Sequence, residues 1–223
     1  VIAVWRLLDP VALDESWPGV ETALLRIVQA RRAQSALLAA RYIAAFRAAE
    51  LGTADTPPIP PVPADDDAVR VSLAVTGRET IRRLAPIPDQ APPGVVEQAS
   101  RTALTRVAGA VSRHVLDGGR ETVLGAVAAD RQALGWARGA GGGACAFCRM
   151  LASRGPAYRT QRTAGFQAHD HCACGIEPVY RRDAAWPPNS ERFRREWDEV
   201  TAGLSGRAAL NAYRRSLAAE GSE

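Results

Sequence analysis

Cys145 and Cys148 stand two residues apart, and after twenty more the chain returns with His169, Asp170, His171, Cys172, Ala173 and Cys174. All four cysteines and two of the three histidines thus fall within the thirty residues from Cys145 to Cys174. Thiolates and imidazoles gathered in two short arms suit a tetrahedral Zn²⁺ site, with two ligands from a tight turn and two from a returning segment. Such a site ties two separate stretches into one knot, which constrains the fold more than any other feature. The competing use of four cysteines, two disulfides, belongs to an oxidising compartment. No secretory leader is legible in the chain, which begins at Val1, so the thiols are read as reduced and metal-binding.

Five residues, Cys145, Cys148, His169, Cys172 and Cys174, compete for four places, with His171 a less favoured sixth. On an extended segment alternate residues point to opposite faces. His169 and His171 would then lie opposite Cys172 and Cys174 unless a turn intervenes. Cys145, Cys148 and Cys174 are read as three ligands, with His169 ahead of Cys172 for the fourth, which requires that turn. The unused neighbours would orient the ligands.

A thiolate-rich, coordinately closed set is structural, whereas a catalytic zinc keeps a place for water and a nearby base. The residues two after His169 and His171 are His171 and Ala173, so the glutamate of the zinc deaminases is missing, and no His-Glu-x-x-His occurs. His114, outside the cluster, falls in an expected helix near Ser112 and Asp117, and no Gly-x-Ser-x-Gly elbow accompanies it. No catalytic residue is assigned, and the chain is read as not an enzyme.

The rest of the chain reads as mainly α-helical. From Gly19 to Leu51 there is no proline and no further glycine, and Val20, Leu24, Ile27, Val28, Leu38, Tyr42, Ala45 and Phe46 recur at helical spacing. Ser16-Trp17-Pro18 marks the expected start, and Arg31, Arg32, Arg41 and Arg47 are placed on the outer face. The helix serves either a bundle or a partner-docking arm. Five prolines between Pro57 and Pro63 predict an extended connector, and Asp65-Asp66-Asp67 a helix start. Residues 69–84 are ambiguous, because Val71, Leu73 and Val75 alternate as in a strand while Thr80 to Leu84 look helical. A helix over 95–116 is expected to stop at Gly118-Gly119, and another to run over 121–138. Gly139 to Gly143 would form a flexible lead-in to the knuckle, Ile176 to Tyr180 a strand, and Ser190 the cap of a last helical stretch that Gly203 and Gly206 interrupt. The expected organisation is a helical arm over 1–51, a Pro-rich linker over 52–67, a central helical region over 68–138, a zinc knuckle over 139–182 and a C-terminal helical segment over 183–223.

No apolar run approaches the ~20 residues that span a bilayer, so no membrane contact is expected. Lysine is absent and all 28 basic residues are arginine, for a net charge of +4. That excess is modest for a dedicated DNA binder. Arg149, Arg154, Arg159 and Arg162 with Tyr158 offer a phosphate patch with a stacking ring, against the plainer use as a solvated knuckle surface.

Cys145-Ala146-Phe147-Cys148-Arg149-Met150-Leu151-Ala152-Ser153-Arg154-Gly155, followed by His169-x-x-Cys172-x-Cys174, resembles the signature of the MuF-like minor capsid proteins, the head morphogenesis proteins of tailed phages, those of actinobacterial phages in particular. Gly135-Trp136-Ala137-Arg138, Leu116-Asp117-Gly118-Gly119-Arg120, Ala39-Ala40-Arg41-Tyr42 and Phe46-Arg47 are similar to that family too. His171 departs from it, since many relatives carry a polar residue such as Asn there. The resemblance implies a structural component made during head assembly, present in few copies and associated with the portal or the inner capsid. With the structural zinc read from the ligand set, the expected partners are the portal or the major capsid protein, with several copies around the portal, and packaged DNA. The protein would sit in the capsid interior or portal region of the virion, and in the host cytoplasm during assembly. A capsid maturation protease, or another virion-associated enzyme, is the first alternative, and a zinc-containing DNA-binding module the second.

Overall fold

The computed structural model describes all residues except 54–58, 60–63, 88, 159–165, 167 and 221–223, together with the side chains of Pro93 and Glu220. Among them the chain is mainly helical with one two-stranded sheet, as the sequence leads one to expect. It divides into two compact units. One comprises Val1–Leu38, Pro61–Gly119 and Ala168–Cys172; the other comprises Ala39–Pro60, Arg120–Gln167 and Ala173–Glu223. The proline-rich connector falls largely on residues outside the described ones.

A short helix α1 (Ile2–Trp5) precedes α2 (Leu13–Leu51). The long helix begins earlier than Ser16 and takes Pro18 inside it. The Asp9 carboxylate accepts the Val11 and Ala12 amides at 2.9 and 3.3 Å, and Asp14 and Glu15 put negative charge in the first turn, where the helix dipole favours it. In the first unit α2 buries Trp17, Val20, Leu24, Leu25 and Val28, so this part is a packed bundle helix. Two arginines expected on its outer face are buried. Arg32 donates to the His114 carbonyl at 3.1 Å, and Arg47 meets Asp130 at 2.7 Å.

The segment of doubtful type is helical, as α3 (Asp66–Thr76) and α4 (Arg78–Leu84). The apparent strand alternation fails because Val69 and Leu73 bury one helical stripe, while Val71 and Val75 lie exposed on another. The acidic triplet does start the helix, with the Asp65 side chain accepting the Ala68 amide at 3.0 Å.

Gly118-Gly119 stops nothing, and α5 runs unbroken over Pro93–Ala129. A Cβ on Gly118 would stand 2.5 Å from the Arg32 carbonyl oxygen, and the Gly119 amide donates to Ser35 Oγ at 3.1 Å. The pair of glycines therefore serves a close approach to α2 instead of a helix end. Val96, Ala99, Ala103, Val107 and Val111 complete the core of the first unit.

The helix expected over 121–138 ends at Ala129, and Gly135–Gly139 forms strand β1, paired antiparallel with β2 (Gly175–Val179). Gly135 adopts φ 147°, a conformation few other residues reach, and it opens this strand. Trp136 also exchanges backbone hydrogen bonds with Tyr158 on the other edge of β1. Between the strands lies α6 (Ala146–Ala152); α7 (Ser190–Val200) and α8 (Gly206–Glu220) follow. The N-cap of α7 is Asn189, in the left-handed region, and Ser190 is the first helical residue with its hydroxyl buried. The lead-in of glycines is a braced turn: Arg149 donates to the carbonyls of Gly142 and Ala144 at 2.6 and 2.9 Å.

Candidate metal centre

Cys145 occupies the N-cap of α6 and is exposed, while Cys148 lies in the first turn, 2% exposed. The helix start thus presents two sulfurs three positions apart to one side. The returning arm contains the turn that the histidine ligand demands. Asp170 and His171 form it, His171 at φ 63°, and the Cys172 amide closes back on the His169 carbonyl at 3.0 Å. The turn breaks the strand alternation that would have set His169 against the cysteines. No disulfide joins the four cysteines, and Cys172 and Cys174 are buried like Cys148.

Two sets of donor atoms gather in this stretch. Those of Cys145, Cys148 and His169 all lie within 4.8 Å of one another, as do those of Cys148, Cys172 and Cys174. A tetrahedral zinc with sulfur ligands at ~2.3 Å holds them roughly 3.8 Å apart, so the separations within each set are of the order a single ion requires. Cys148 belongs to both. His171 belongs to neither: a Cβ on Gly109 would lie 2.5 Å from its Nε2, so its ring rests on α5. Next to it, Asp170 takes a 2.8 Å ion pair from Arg113. The cluster can hold a metal ion, and the buried thiols match a borderline-soft cation better than a hard one.

The family model described as VG15 protein matches residues 1–200. The chain belongs to the VG15 family. This is a family of phage proteins. No curated protein and no solved structure matches the chain.

In this VG15 protein the thiols have cationic and aromatic neighbours that sequence reasoning did not single out as part of the site. Arg138 on β1 is 1% exposed, with Nη1 4.0 Å from Cys148 Sγ and its guanidinium 3.8 Å above the Phe166 ring. Arg120, also buried, donates Nε–H to the Cys174 carbonyl at 3.0 Å and lies 5.1 Å from the same ring. Trp136 backs the group, stacked on Tyr158 at 4.3 Å and tilted against Phe166 at 5.8 Å. In the sequence Arg120, Trp136 and Arg138 enter through the family resemblance and carry no assigned role in the site.

The phosphate patch does not form as expected. Tyr158 is buried against Trp136, so its ring faces are not free to stack on a base. Arg149 is committed to α7 through Glu196 at 3.3 Å. Arg154 is exposed, and Arg159 and Arg162 lie outside the described residues.

His114, the remaining histidine, is buried on α5. Burial first, then Arg113 and Arg32, push its pKa down against Asp117 and Asp170. The second unit also has a cavity of about 370 Å³, where Tyr42, Glu177 and Asn189 join Gly139 to Gly141. Burial and the Glu50 charge raise the Glu177 carboxyl, and burial with Glu177 and Tyr180 pushes the Tyr42 phenol up to about 12. A high phenol pKa opposes use of Tyr42 as a base. Among the described residues no helix is long and apolar enough to cross a membrane.

Proposed function

We propose that this phage protein is a structural part of the virion head, a MuF-like minor capsid protein attached to the portal or the major capsid protein, whose knuckle is locked by one structural Zn²⁺. The observation that carries the zinc is the pair of donor sets sharing Cys148, three of whose thiols are buried. Cys145 and Cys148 would hold the ion from the start of α6, with His169, Cys172 and Cys174 supplying the remaining ligands from the return. Bound there, zinc supplies a cross-link in place of apolar core. The protein's own residues supply the rest: Arg149 braces the glycine turn before α6, and β1 pairs with β2.

The head role draws support from phage family membership together with the Cys-x-x-Cys and His-x-x-Cys-x-Cys signature. A donor set rich in buried thiolates favours a structural ion over a catalytic one, which supports a non-enzymatic part. DNA binding is disfavoured by where the charge goes. Residues 120–167 carry seven arginines against two acids, yet Arg120 and Arg138 are buried and Arg149 is paired.

The test is the composition of purified particles. Peptides of this chain should appear at a few copies per particle and stay with the portal when heads are dissociated. A chain absent from particles but present in infected cells would defeat the head assignment. Elemental analysis of the isolated chain should give one zinc, and none after Cys145→Ser with Cys148→Ser. One zinc retained by that double variant would remove the ligand assignment.

A further inference from the structure

On the reading that zinc occupies the knuckle, we infer that Arg138 is the cation that balances the thiolates from outside the ligand shell, a positioning residue that sets how tightly the metal is held. Cysteine binds zinc as thiolate, so three or four of them around one dication leave a net negative charge. Cys148, Cys172 and Cys174 are at most 5% exposed, so water is poorly placed to screen that charge. Buried charge of one sign is costly unless a counter-charge and hydrogen bonds are built beside it.

The second unit supplies both. Arginine stays protonated at any physiological pH, and Arg138 points Nη1 at Cys148 Sγ from 4.0 Å. Sheet register fixes its position: Arg138 pairs with Ile176, two residues past Cys174, so the side chain issues from the strand beside the one that leaves the knuckle. The Phe166 ring then holds the guanidinium plane at 3.8 Å, an orientation a lysine ammonium has no plane to adopt. Arg120 adds a second buried cation, tied to the Cys174 carbonyl and sharing the Phe166 ring. One buried guanidinium at the Cys148 sulfur and a second at the Cys174 backbone are the counter-charge a metal–thiolate centre requires. Hydrogen bonds from such outer groups tune ligand donation, and their loss typically weakens metal binding 10- to 100-fold.

The experiment compares the full chain with Arg138→Met and Arg138→Lys in zinc competition against a chromophoric chelator. Arg138→Met, which keeps the bulk and removes charge and donors, should weaken binding about 10- to 100-fold. Arg138→Lys should fall between it and the parent. With Co²⁺ in place of zinc, the sulfur-to-metal charge-transfer band should move to lower energy in Arg138→Met, because the sulfur loses its hydrogen-bond donor. A packing role alone would leave that band where it was. Should Arg138→Met lose its helical circular dichroism, Phe166→Leu takes its place. It leaves both arginines, removes their shared ring, and should cost about threefold or more in affinity. Unchanged affinity and an unmoved band in the folded variant would overturn the assignment of Arg138. A parent chain that takes up no zinc would instead overturn the metal reading beneath it.

Discussion

The two units hold themselves together by different means. The first has an aliphatic core of conventional kind: Leu24, Val28, Leu73, Ile81, Ala103 and Val107 are among seventeen described residues that form one buried cluster around two tryptophans. In the second only eight described residues form such a cluster. Its largest members, Trp136 and Tyr158, are a stacked pair beside a two-stranded sheet. A two-stranded sheet is marginal by itself, and helices as short as α6 do not persist alone. Beside its apolar burial the second unit relies on specific polar and ionic ties: Arg47 to Asp130, and Arg149 to the glycine turn and to Glu196, with the thiols of Cys145, Cys148 and Cys174 close by. Apolar burial spreads stability over many residues. Ties of this kind concentrate it in a few, each of which can be removed by one substitution.

On the proposed zinc reading, removing the metal should separate the units most sharply. A structural zinc is worth on the order of 10 kcal/mol of folding free energy in small domains. Excess chelator should therefore raise amide exchange across residues 144–158 and 173–180 while leaving Val20 to Val28 protected. Equal loss of protection in both regions would show that the contrast is false. Next in size is Asp130→Ala, which strips the carboxylate from a buried Arg47 and should cost about 3–5 kcal/mol. Its effect should appear in the second unit's exchange before any in the first. Leu24→Ala reverses the direction. Its side chain is fully buried in the first unit, the expected cost is about 2–5 kcal/mol by thermal or denaturant unfolding, and zinc content should not change.

The smallest contrast is in pH. Burial would raise the Asp130 carboxyl, but the Arg47 hydrogen bond, with help from the Gln132 amide, holds it below the ordinary range. The fold therefore binds fewer protons there than the unfolded chain. Its contribution is complete above about pH 4 and is lost as pH falls through the folded value. His114 in the first unit is also depressed, and the sign is the same in a higher window. Stability from keeping it neutral is complete above about pH 6.5 and is lost as pH falls through its folded value. Acid titration followed by exchange at residues 107–115 should show a decline that His114→Gln abolishes. A decline unchanged in that variant would assign the acid sensitivity to other groups.

The gathering of metal-capable donors was legible because ligand chemistry restricts which residues serve and how far apart they stand. The Asp65 cap was legible for a similar reason, since a side-chain oxygen reaching an amide three residues on is a purely local event. Gly118-Gly119 misled because a glycine pair means either a stop or a close contact, and the carbonyl of Arg32 that decides the matter is far away in sequence. Trp136 to Arg138 read as the tail of a helix, yet they form a strand because Tyr158 and β2 offer backbone partners on both edges. Val71, Leu73 and Val75 alternate in hydrophobicity on a helix that uses only one of its stripes.

Covalent neighbours and side-chain chemistry settled the mainly helical content, the capped helix starts and the thiol-rich arms, since each depends on contacts within a turn or on what an atom is able to ligate. Which arginines would be buried, and against what, was left to packing. Arg32, Arg47, Arg120 and Arg138 have the same composition and charge as their exposed counterparts. What distinguishes them is a carbonyl, a carboxylate, a sulfur or a ring brought near by a distant part of the chain, and only the folded chain brings those partners within reach.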